Sequence, residues 1–126
     1  MKRLLATLLA LLTPSAALPK EEAAHEASTN FDKKHVAPFL ERATHLFESG
    51  FGPAEVKKVA ALMEKIKMDE EKELTFSVKF KGQVVPLRVR LFMDDIDAFD
   101  LYIFSSAEVA AQVTALIKKF GEEHGI

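Results

Sequence analysis

The chain contains no cysteine, which excludes a disulfide framework, a lipid-modified cysteine anchor and thiol chemistry. The short signatures of common catalytic sites are missing as well: there is no G-x-S-x-G elbow, no glycine-rich phosphate loop and no H-E-x-x-H zinc pair. Net basic charge is also lacking. Of 17 basic residues, Lys2 and Arg3 belong to an amino-terminal segment treated next, leaving 15 against 19 acidic ones. A polyanion binder needs a net basic face, so nucleic acid is not an expected partner. After Leu12 no further apolar run approaches the about 20 residues that a membrane helix requires.

The amino terminus reads MKR, then LLATLLALL, then TPSAA with small residues at Ser15 and Ala17. A charged start, a short apolar helix stopped by Pro14 and a small-residue cleavage site have the pattern of a secretory signal peptide. We expect residues 1–17 to be removed, the mature chain to begin near Leu18, and the product to be periplasmic or secreted with no membrane insertion after cleavage. The remaining chain is long enough for one domain with one core.

Residues 18–30, LPKEEAAHEASTN, are polar and alanine-rich and are expected to form a flexible arm, leaving 31–126 as the domain. From there Val36, Phe39, Leu40, Ala43, Leu46 and Phe47 fall at helical spacing. That predicts a helix from near His35 to Ser49, with Pro38 in its first turn or at a kink. Gly50 suits a left-handed stop and Pro53 the first position of a second helix, which carries Val56, Val59, Ala60, Met63 and Ile66 on one face.

The period changes to two at Leu74, where Leu74, Phe76, Val78 and Phe80 alternate with polar residues. A two-residue Lys81-Gly82 turn would pair Phe80 with Gln83, Val78 with Val85, Phe76 with Leu87, Leu74 with Val89, and Glu73 with Arg90. For Leu87, Val89, Leu91 and Met93 to share a face with Phe99, Leu101 and Ile103, the next loop must hold an odd number of residues, which Asp94 to Ala98 satisfies. A capping box at Ser105 to Glu108 then opens a last helix, striped by Val109, Val113, Leu116, Ile117 and Phe120 and ended by Gly121. The expected fold class is α+β in the order α-α-β-β-β-α: a three-stranded antiparallel meander packed with a helical hairpin and a carboxy-terminal helix.

Asp94, Asp95, Asp97 and Asp100 crowd the second hairpin. Such carboxylates are the donors of a calcium site, and a calcium-dependent module or small hydrolase using this loop is one reading. The loop lacks the central glycine and distant glutamate of an EF-hand, and a hairpin tip does not shield a carboxyl for acid-base work; solvated turn residues are the favoured reading, with no metal or cofactor. His35 and His45 lie ten residues apart, pointing about 80° apart on a helix, which argues against a ligand pair.

The outward sheet face carries Arg88, Arg90, Phe92, Asp100, Tyr102 and Phe104. Aromatics rimmed by arginine mark recognition surfaces, and these six are the expected binding residues for a protein or anionic ligand in a non-catalytic module. Two helices of about 10 Å fill one face of a sheet about 15 Å wide, so the third is expected at an edge or over the outward face. Strand three, DLYIF, is an expected free edge, through which a structural homodimer of the envelope or a peptide strand would pair.

Overall fold

Side-chain alternation sets the first hairpin. In the computed structural model, which describes residues 24–126, β2 (Glu71–Phe80) and β3 (Gln83–Asp95) pair in the expected register, from Phe80 opposite Gln83 to Glu73 opposite Arg90. The Lys81-Gly82 turn has positive φ at both residues, as the tight hairpin turn requires. β4 (Ala98–Ser105) follows with Met93 opposite Phe99, Leu91 opposite Leu101 and Val89 opposite Ile103. A bulge between Met93 and Asp95 shortens the expected five-residue loop, so that Asp95 pairs with Ala98.

The sheet has four strands, not three. His25–Asp32 form β1, which pairs antiparallel with β4 from His25 opposite Ser105 to Asp32 opposite Ala98. The expected arm is therefore strand over residues 25–30; residues 18–23 and the expected signal peptide lie outside the described residues. Ala27 and Phe31 point inward and are buried, while Glu26, Ser28, Asn30 and Asp32 point outward. The strand order is β1-β4-β3-β2, which places the expected edge strand in the interior. β4 is paired on both sides, so the described edges of the sheet are β1 and β2.

The extra strand also relocates the third helix. With about 19 Å of sheet width instead of about 15 Å, α1 (Lys33–Ala43) and α3 (Ala107–His124) lie on β1 and β4, and α2 (Pro53–Met63) packs against α1. All three contribute to one core on the inward face: Phe39 and Leu40 from α1, Val59 from α2 and Val113 and Phe120 from α3 join Leu91, Phe99 and Leu101 of the sheet. No described helix lies over the outward face.

Local chemistry accounts for the helix ends. α1 stops at Ala43, tightens into a 3-10 turn at Thr44–Leu46, and ends well before the expected Ser49. Pro38 sits inside it rather than in its first turn. Gly50 is not a helix stop: its φ is +92° and a Cβ there would collide with the Ser77 carbonyl and Val78 Cα, so only glycine lets this loop approach β2. Pro53 opens α2, with the Glu55 carboxylate accepting from the Gly52 N–H at 2.8 Å. At α3 the cap is Ser106, whose Oγ accepts from Val109 N–H, and the helix runs past Gly121 to a left-handed Gly125. Ser105 is buried and donates to the Pro86 carbonyl at 2.6 Å. Among the described residues no helix is long and apolar enough to cross a membrane.

Candidate interaction face

Cross-strand pairing converts the outward residues into three rows of four. Glu26, Phe104, Arg88 and Thr75 form the first; Ser28, Tyr102, Arg90 and Glu73 the second; Asn30, Asp100, Phe92 and Glu71 the third. All six residues expected from the sequence therefore share one continuous surface. Each is half-buried, not by a covering element but by its neighbours in the sheet.

Phe104 is the hub of the first two rows. The guanidinium carbons of Arg88 and Arg90 stand 4.7 and 4.8 Å from its ring centre, close enough for cation–π attraction. Tyr102 lies nearly parallel to it, with centres 6.3 Å apart. On the other side, Arg90 Nε donates to Glu73 Oε1 at 3.1 Å and lies 3.6 Å from Glu71 Oε2. Arg88 Nε is 3.7 Å from Glu73 Oε2, too long for a hydrogen bond, and is buried without one among the described residues. The middle row thus runs from polar Ser28 on β1 through aromatic Tyr102 on β4 and basic Arg90 on β3 to acidic Glu73 on β2, whereas the third sets Asp100 on β4 beside Phe92 on β3.

These contacts alter what the face can bind. Both arginines already have carboxylate neighbours, and Glu26 and Asp100 add further negative charge. A small anion would have to displace Glu71 and Glu73 from guanidinium groups that they hold at close range. A large, mixed surface matches this chemistry better.

Only two of the four aspartates meet. Asp94 and Asp100 both accept from Asn30 Nδ2, at 3.4 and 2.7 Å, and Asp95 accepts from the Ile96 N–H at 2.7 Å. Asp97 lines a cleft of about 780 Å³ with Asp32, Lys33, Lys34 and Glu64. There its carbonyl accepts from Lys33 N–H at 2.7 Å, while the Lys33 ammonium pairs with Glu64 at 3.0 Å. No group of three or more potential metal ligands occurs among the described residues.

The fourth column of the face, Glu26, Ser28 and Asn30, is absent from the residues expected from sequence, because β1 lies in the segment expected to be an arm. The signal for β1 was the alternation Ala27, Thr29, Phe31 against polar residues. Also absent is the meeting of His35 with His124, whose rings lie 5.5 Å apart. His124 stacks on Phe120 at 4.0 Å, with its Nδ1 2.9 Å from the Phe120 carbonyl. At the same end of α3, the Arg42 guanidinium hydrogen-bonded to Glu123 at 2.7 Å holds that carboxyl below its ordinary value. No family model, curated protein or solved structure matches this chain.

Proposed function

We propose that the chain is an exported, non-catalytic binding domain that docks a protein partner through the open face of its sheet. The observation that carries this reading is the gathering of Arg88, Arg90, Phe92, Asp100, Tyr102 and Phe104 on a surface that no described helix covers. Aromatic and arginine side chains supply most of the energy at protein interfaces, because they bury large area and retain polar contacts. Ion pairing of the arginines within the sheet favours a protein over a small anionic ligand. No observation favours calcium or hydrolysis at the acidic turn, where Asp94 and Asp100 meet at Asn30 without a third carboxylate among the described residues.

The test is capture from an envelope extract with the wild-type protein and with Arg90→Ala/Tyr102→Ala in parallel. The expected result is a protein enriched by the wild type and lost with the double variant, whose circular dichroism should match the wild type. Equal enrichment by both would remove this face from consideration.

A further inference from the structure

In two of its three rows the open face is complementary to itself. Arg88 lies directly opposite Phe104 and Arg90 directly opposite Tyr102 on the adjacent strands β3 and β4, which are the two central strands of the sheet. A two-fold axis parallel to the strands and midway between β3 and β4 exchanges these positions. Laid face to face about that axis, each copy places Phe104 over the other's Arg88 and Tyr102 over its Arg90, while in the third row Asp100 comes over Phe92. The outer columns exchange too: Ser28 of β1, able to donate, comes over the Glu73 carboxylate, Asn30, whose amide donates to Asp100 and Asp94 in its own sheet, comes over Glu71, and Glu26 comes over Thr75. No acid in the three rows faces an acid, and no arginine faces an arginine. An axis perpendicular to the strands through the middle row would instead set Arg90 on Arg90 and Glu73 on Glu73, which like-charge repulsion opposes.

Size agrees with this arrangement. Four strands about 4.8 Å apart, each offering roughly 25 Å of length, make a flat face of about 500 Å² before side-chain relief is counted. Two such faces together reach the about 1,000 Å² that a specific interface requires. Packed sheets cross at about 30° with aligned strands, an arrangement that a parallel two-fold axis permits. We infer that the partner of this face is a second copy of the chain, packed sheet on sheet as a symmetric dimer. This deepens the docking-face reading and rests on it. It also moves self-association from the edge of β4, which β1 occupies, to the open face.

The test combines mass and cross-linking on the purified protein in its natural amino-terminal form. Light scattering and sedimentation equilibrium should show a doubled mass, with monomer appearing on dilution. Arg90→Glu should raise the dimer dissociation constant about tenfold or more, whereas Lys57→Glu, exposed on α2, should leave it unchanged; circular dichroism checks that both are folded. Because the chain has no cysteine, an introduced one reacts alone. In the dimer, Glu26 of one copy and Thr75 of the other lie about 10 Å apart across the sheets, whereas two copies of Glu26 lie about 17 Å apart. A short bis-maleimide should therefore join Glu26→Cys to Thr75→Cys in a mixture and leave either variant alone unlinked. Cross-links within a single variant would overturn the axis. A monomeric mass at every concentration would overturn the second copy as partner. The docking face would still stand if envelope capture depended on Arg90 and Tyr102, and would fall with the dimer if it did not.

Discussion

Leu101 and Tyr102 are neighbours on β4 and face opposite worlds. Leu101 is 1 % exposed beneath the helices, among Leu91, Phe99 and Val113. Tyr102 is half-buried against Phe104 on a side that no described helix covers. Stability on the inward face comes from removing apolar area from water, at about 1.5–3 kcal/mol for a fully buried large side chain. On the outward face the aromatics are only partly shielded, and the charges that flank them contribute little net energy in solvent. The two faces of one strand therefore differ in kind: the inward one is buried core, and the outward one is the proposed docking surface.

The largest expected effects follow from the inward side. Leu101→Ala should cost about 2–5 kcal/mol, the lost transfer energy plus a cavity that the surrounding core fills only partly. Urea denaturation measures it, and a loss comparable to that of Tyr102→Ala would break the contrast. Gly50→Ala should cost about 2 kcal/mol or more, because its positive φ and the close approach of β2 both exclude a Cβ. The same denaturation series should show this without loss of any charged contact on the open face.

These inward contacts were the part most legible in sequence. The hairpin registers follow from period-two alternation, since a slip of one residue would turn Val78, Val85 and Leu87 toward solvent. Phe39, Leu40, Val59 and Val113 were equally plain from helical spacing. β1 was obscure because its inward side offers only Ala27, Thr29 and Phe31 as its internal stripe, and its stability depends on pairing with residues about 70 positions away. Local propensity does not contain that pairing. Without β1 the sheet is too narrow for three helices, which is why the sequence places the third helix at an edge or over the outward face and makes β4 an edge strand. Glu73 beside Arg90 was readable from register, but the second carboxylate at Glu71 and the shared stacking on Phe104 needed coordinates. The helix ends shifted because Gly50 and Gly121 look like stops in sequence, whereas one serves a close approach and the other lies inside α3.

On the outward side Tyr102→Ala should cost about 1 kcal/mol or less, since it removes a half-exposed ring and leaves no buried cavity. Its larger consequence should be loss of partner capture and, where the sheets pair, of dimer mass. Stability and association measured on the same preparation separate the two faces directly. A fall in stability as large as that of Leu101→Ala would mean that the open face supports the fold after all.

The smallest effect concerns charge at the rim of the covered side, where Arg42 of α1 reaches Glu123 of α3. The hydrogen bond from Arg42 favours the ionised carboxyl, so the folded-state pKa lies below the unfolded one. The contribution is present above the ordinary glutamate range and is lost as pH falls through the lowered value. A carbon-detected NMR titration of Glu123 should show a midpoint below that of ordinary glutamate, and Arg42→Ala should return it. Because Glu123 is exposed at this rim, the variant should hardly move the urea midpoint at neutral pH. A marked loss of stability there would mean that charge, rather than the Phe31–Phe39–Phe120 contacts beneath it, fastens the end of α3 to the sheet, and the contrast between an apolar side that holds the fold and a charged surface that adds little to it would fail at its margin.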